Sequence, residues 1–275
     1  MSALTILLVL IGNAISGRSG ALLFFIIALS MNFFSFFFSD WIAIKMTVSF
    51  PVTEREAPQI YSIIRRLSER AGIPMPQVYV TPSDQPNAFA TGRGPSHSAI
   101  AVTKGLLDLL GPAELEGVLS HEIAHIKNRD VLIGTIAASL AGAITMISNM
   151  LQWGMMFGGL RGEDDNGESG IIGLISSLVM IILAPIAAML IQLAISRSRE
   201  YEADATGARI AGRPDGLASA LLKLERGARQ IPMQVNPATS HLFIVNPLSG
   251  QTMARLFSTH PPIEERVQRL LKMRI

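Results

Sequence analysis

Two histidines four positions apart, with a carboxylate directly after the first, make the segment His121-Glu122-Ile123-Ala124-His125. On a helix four residues turn through about 400°, so the two imidazoles lie almost one above the other and can grip one Zn²⁺ through neutral ring nitrogens. Glu122, about 100° further round, is placed to take a proton from a water polarised at that site. With 5 His in 275 residues, such a pattern arises at random in about 0.4% of chains of this composition. The chain has no cysteine, which removes disulfides and every thiolate site, so a metal must be held by His, Glu, Asp and water.

A helix must carry these residues. Gly111-Pro112 supplies a break followed by a proline suited to the first turn, with Glu114 and Glu116 near the positive end of the dipole. Leu115, Val118, Leu119, Ile123 and Ile126 then form one broad apolar face. Upstream, a helix is expected over 54–71 with Thr53 as N-cap and Glu56 at the capping-box position. Three strands follow, over 76–81, 87–92 and 98–103, giving a small sheet just before the metal helix. Downstream, helices are expected over 196–212, 215–227 and 262–273, and 230–259, with two Asn-Pro steps, reads as a long loop or hairpin.

Composition places this machinery in a membrane. Hydrophobic residues make up 49% of the chain and charged ones only 16%, too apolar for an ordinary soluble domain. Uncharged runs at 131–160 and 171–195 are each long enough to cross a bilayer core of about 30 Å. Near the start, runs at 3–17 and 20–39 flank Arg18 and read as a tight helical hairpin. A cleavable signal peptide is disfavoured, because residues 1–5 carry no Lys or Arg and a second apolar run follows almost at once. Nearly all Lys and Arg fall in 40–130 and 196–275, which therefore should face the cytoplasm, while 161–170 is acidic. The net charge of +2 gives no argument for nucleic acid.

The expected fold is α+β and mainly helical. It has four transmembrane helices in two hairpins, 1–39 and 131–195, and a zincin-like catalytic domain in two parts, 40–130 and 196–275. If the metal helix and the 196–212 helix run on into the membrane, the metal lies about 7 to 9 Å from the apolar runs, at the cytoplasmic surface.

A catalytic zinc needs a third protein ligand, and Glu200, Glu202, Asp204, Asp130 and His260 are candidates. Glu200 and Asp204 share a helix face, so one can meet the metal while the other holds a ligand histidine through its second nitrogen; Glu202 points away. Spacing alone does not separate Glu200 as a ligand from a carboxylate on an exposed, salt-bridged acidic helix.

Four motifs together resemble the HtpX-type membrane metalloproteases, bacterial relatives of the CAAX prenyl endopeptidase. They are the His121–His125 segment, Ser196-Arg197 with Glu200 and Asp204, the stretch Asn87-Ala88-Phe89-Ala90-Thr91-Gly92, and Thr259-His260-Pro261-Pro262 with Arg266. The resemblance implies that Glu200 is the third ligand of one zinc per chain and Asp204 its supporting partner. It implies that His260 and Arg266 donate to the oxyanion of the tetrahedral intermediate. It also implies that Asn87, Ala88 and Phe89 belong to an edge strand where an extended substrate pairs. The short turns and few spans disfavour prenylated substrates.

The function so implied is a zinc endopeptidase of the bacterial inner membrane, cleaving misfolded or damaged membrane proteins at the cytoplasmic face under stress. Its partners would be those substrates, the bilayer and other quality-control proteases. A transporter is disfavoured because the spans contain no ionisable residue. A non-catalytic scaffold with a structural zinc, closed by a further ligand such as His260, is the alternative.

Overall fold

A computed structural model describes residues 2–134, 136, 197–231, 242–245 and 261–275. Most of the second apolar pair, the acidic 161–170 stretch and His260 lie outside the described residues.

The chain opens with helix α1 (Ser2–Phe37), interrupted at Ser16 and Gly17, where Gly17 takes φ 57°. That left-handed conformation suits glycine and reverses the chain. The two limbs meet: Asn32 Nδ2 donates to Thr5 Oγ1 at 2.8 Å, and a Cβ on Gly12 would collide with the Gly20 carbonyl. The expected tight hairpin is therefore present, and Ser16–Phe34 is long and apolar enough to cross a membrane. Helix α2 (Ser39–Met46) leads to the short strand β1 (Phe50–Pro51).

Helix α3 (Pro58–Ala71) begins four residues later than expected. Glu56 accepts from both the main-chain N and Oγ1 of Thr53, each at 2.7 Å, closing a turn instead of capping the helix. Ala57, at φ −135°, is barred from helical geometry by the proline that follows it. The helix buries Ile60, Ile63, Ile64 and Leu67 and stops at Gly72, φ 69°.

The three expected strands are β2 (Gln77–Thr81), β3 (Ala88–Gly94) and β4 (His97–Thr103). With β1 they form a sheet of order β1-β2-β4-β3, so β3 is an outer edge. It pairs antiparallel with β4, Phe89 opposite Ala101, and slips register between Gly92 and Gly94. Thr103 caps helix α4 (Lys104–Leu109) by accepting from Leu106 N at 3.1 Å.

Helix α5 (Pro112–Lys127) is the centre of the fold and is buried on nearly every side. It packs against α3, β3, helix α6 (Arg197–Ala211) and helix α7 (Asp215–Gln230), with helix α8 (Ile263–Leu271) against α6 and α7. Close approach depends on glycine: a Cβ on Gly117 would collide with the Leu217 backbone, and one on Gly207 would lie 2.9 Å from His121 N. One apolar core runs from Ile60 of α3 through Leu119 and Ile123 of α5 to Leu270 of α8.

The metal helix does not run on unbroken toward the second apolar pair. It ends at Lys127, Asn128 closes it, and Arg129 takes φ 64° before helical structure resumes at Asp130. The rod-like continuation behind the 7 to 9 Å estimate is thus corrected. The left-handed turn redirects the chain and brings Asp130 back beside His125.

Candidate metal centre

His121 and His125 sit on successive turns of α5, as their spacing requires, and their Nε2 atoms lie 3.1 Å apart. Each ring is held by its other nitrogen. His121 Nδ1 is 2.9 Å from Asp204 Oδ1, and His125 Nδ1 is 3.0 Å from Asp130 Oδ2. With Nδ1 engaged, both Nε2 lone pairs point the same way, the arrangement that metal-binding histidines need. From α6, the Glu200 carboxylate completes the cluster, with Oε1 3.4 Å from His125 Nε2 and Oε2 3.9 Å from His121 Nε2.

The donor set fits a divalent ion. All three ligand atoms lie within 4.8 Å of one another, and ligands of tetrahedral zinc at bond lengths near 2.0 to 2.1 Å stand about 3.3 Å apart. The electrostatics agree. Burial works against charge on His125, but Asp130, Glu200 and Glu122 outweigh it and raise its pKa to about 10. Surroundings that hold a proton so firmly suit a cation.

Glu122 points from α5 toward the sheet, where the main-chain N–H of Ala90 on β3 donates to its carboxylate. Burial, with Glu200 adding to it, raises Glu122 to about 7 against the pull of His125 and Arg266. A carboxyl so tuned can accept and return a proton near neutrality. Burial also depresses His121, favouring the neutral ring that a metal requires.

Arg266 of α8 is completely buried and binds Asp204 through two parallel bonds, Nε to Oδ2 at 2.8 Å and Nη2 to Oδ1 at 2.7 Å. Burial would raise Asp204, but Arg266 and His121 bring it down to about 2. Nη1 of Arg266 is 3.3 Å from Glu200 Oε2 and donates to the Ile244 carbonyl at 3.4 Å. One guanidinium thus fixes the carboxylate behind His121, sets Glu200 and reaches a peptide oxygen.

The structure therefore gathers His121, Glu122, His125, Glu200, Asp204 and Arg266 in one place, with Asn87, Ala88 and Phe89 on the adjoining sheet edge; His260 lies outside the described residues. The position of Asp130 behind His125 was not expected. Sequence reasoning weighed Asp130 only as a metal ligand, and its nearness to His125 depends on the turn at Arg129. The Ile244 carbonyl carried no signal beyond the short apolar run Leu242-Phe243-Ile244-Val245.

Fold and site together define a metal-dependent hydrolase in which a helix supplies two histidines and a base, and a second helix supplies a carboxylate. Residues 54–274 match the family described as Peptidase family M48, and the chain belongs to it. It is similar to a protein named Protease HtpX homolog from Pelotomaculum thermopropionicum, 68% identical over 275 residues, 100% of this chain and 97% of that one. Proteins of the same name from Aquifex aeolicus (52% identical, 97% of this chain and 88% of the relative) and Pyrococcus abyssi (54%, 99% and 93%) are similar too. The crystal structure of S. mikatae Ste24p shares the fold, with TM-score 0.55 and 20% identity. The match covers 98% of this chain and 63% of that larger one. The chain is thus a metalloprotease of the HtpX kind.

Proposed function

We propose that the chain is a zinc endopeptidase of the bacterial inner membrane whose site faces the cytoplasm and cuts misfolded or damaged membrane proteins. The convergence of His121, His125 and Glu200 on one point, with Glu122 fastened to the sheet edge beside them, carries this reading. Zinc held there would act as a Lewis acid toward a water and a peptide carbonyl. Glu122 accepts the proton of the attacking water and returns it to the departing amine. Asp204 and Asp130 hold the two imidazoles by Nδ1. Arg266 supports the developing oxyanion together with His260, a role favoured by the Arg266 Nη1 contact with a peptide oxygen. Asn87, Ala88 and Phe89 lie at the outer edge of the sheet, the edge on which a substrate backbone would pair.

Membrane residence is supported by the first hairpin. Leu22, Leu23, Phe25, Ile26, Leu29 and Phe33 are exposed on it, as lipid-facing side chains are and as those of a water-soluble surface are not. The full arrangement has spans over 1–39 and 131–195 and one catalytic unit built from 40–130 and 196–275. Packing of α5 on α6 and α7 joins the two parts of that unit. The test is the full chain in lipid vesicles, with zinc content per chain and cleavage of a destabilised membrane protein measured before and after chelation. The reading requires about one zinc per chain and cleavage that stops with chelator and returns with zinc. Zinc that stays bound without any proteolysis would favour the structural-zinc scaffold instead.

A further inference from the structure

Residues 242–245 lie on the sheet edge assigned to substrate. Ile244 N donates to Ala88 O at 2.9 Å, Asn87 Nδ2 donates to Val245 O at 2.7 Å, and Val245 N donates to Asn87 Oδ1 at 3.3 Å. Phe243 meets Phe89 edge to face, ring centroids 5.1 Å apart. The contacts therefore pair 243 with 89, 244 with 88 and 245 with 87, an antiparallel order on the outer side of β3. At the other end Leu242 approaches Gly134, where a Cβ would stand 3.6 Å from Leu242 Cδ2. The segment thus passes from the stretch after the metal helix to the sheet edge. The Ile244 carbonyl is the peptide oxygen that Arg266 reaches, through the same Nη1 that faces Glu200.

We propose that Phe243-Ile244-Val245 is a built-in substrate mimic, a strap that fills the peptide-binding edge of β3 and must be displaced before a substrate can pair there. This rests on the reading of β3 as the substrate edge. The described segment bends instead of adding a regular fifth strand, and among the described residues Ile244 N bonds the β3 main chain while the Asn87 side chain bonds Val245. A few bonds of that kind can be exchanged for the same bonds to another chain. The strap also shows what the edge accepts. Phe243 joins Ile44, Phe89 and Ala101 on one side of the sheet, while Ile244 and Val245 enter the main core on the other. A displacing chain must bring consecutive large apolar residues, as in a membrane span or an unfolded core, and a polar peptide leaves the strap in place.

The test uses the full, metal-loaded chain in lipid nanodiscs carrying Glu122→Gln, so that binding is read without hydrolysis. The probe is a fluorescein-labelled peptide with the sequence of residues 241–247, compared with one carrying serine at the three central apolar positions. Ile244→Pro removes the N–H that holds the strap. If the strap is closed about nine-tenths of the time, opening it tightens peptide binding about tenfold. Equal affinity for the parent and Ile244→Pro, or equal binding of the serine peptide, overturns the proposal. Should Ile244→Pro lose its metal or fold, Phe243→Ala serves as the second variant. In the parent chain, hydrogen exchange at the Ile244 and Val245 amides should quicken when the apolar peptide is saturating; unchanged exchange with peptide bound overturns the strap without any variant. Absence of zinc-dependent hydrolysis in the unmutated chain would strike the proposed function alone, because the binding and exchange results do not depend on it.

Discussion

His121 and His125 present the same nitrogen to the same point because a buried or half-buried carboxylate holds the other nitrogen of each ring. The two carboxylates differ in how firmly they are held. Asp204 is locked by two bonds from Arg266, whereas Asp130 depends on the turn at Arg129. Asp130→Asn keeps the shape but weakens the pull on His125 Nδ1, and metal affinity should fall about 10- to 100-fold, as read by competition with a chromophoric chelator. Glu122→Gln should behave oppositely. Its carboxylate is not among the three converging ligands, so metal affinity should hold while turnover drops about 10²- to 10⁴-fold; full activity in that variant would remove Glu122 from the chemistry. The two histidines and the base were legible because a helix converts their spacing into geometry; spacing put Glu200 and Asp204 on one helix face, and only the family resemblance singled out Glu200 as the ligand. The role of Asp130 was not, because it depends on a left-handed residue at a non-glycine position, which no local pattern announces.

At the scale of elements, α5 is fixed by neighbours that approach more closely than side chains normally allow. Gly207 of α6 lies against the α5 backbone at His121, where an added Cβ would stand 2.9 Å from His121 N and 3.0 Å from its Cα. Gly207→Ala should therefore push α6 away from α5, costing about 1 to 3 kcal/mol. Because α6 carries both Glu200 and Asp204, metal affinity should fall with stability, and denaturant unfolding with and without metal would show both. Helix α8 is tied in through Arg266. Arg266→Ala strands the buried Asp204 carboxylate and should destabilise the chain by about 3 to 5 kcal/mol, a loss visible in chemical unfolding before activity is assayed. The principal helices and three of the strands follow from apolar periodicity. The start of α3 does not, since a Thr-Glu capping pattern competed with the proline at position 58 and the proline prevailed.

Across the whole molecule, the catalytic unit is assembled from two stretches of chain that are far apart in sequence. Its core takes Ile60, Leu67, Val118 and Ile123 from the first and Ala203, Leu221, Leu224 and Leu270 from the second. The metal site divides the same way, with His121, Glu122 and His125 from one stretch and Glu200, Asp204 and Arg266 from the other. One core is shared by both stretches, so neither is a separate domain in the physical sense. A chain expressed only as residues 1–134 exposes the apolar faces that α6 and α7 cover and leaves both histidines without Glu200 and Asp204. It should aggregate or be degraded, and what survives should bind metal far more weakly than the full chain. A cleavage site inserted in the acidic 161–170 stretch and cut after folding tests the converse. The fragments should stay together in detergent and keep their metal, because the α5 contacts with α6 and α7, and the ion pair of Lys223 with Glu114 at 2.8 Å, do not depend on the linking segment. Fragments that separate on gel filtration once that stretch is cut would show that the linking segment, and not the shared core, holds the two stretches at the metal.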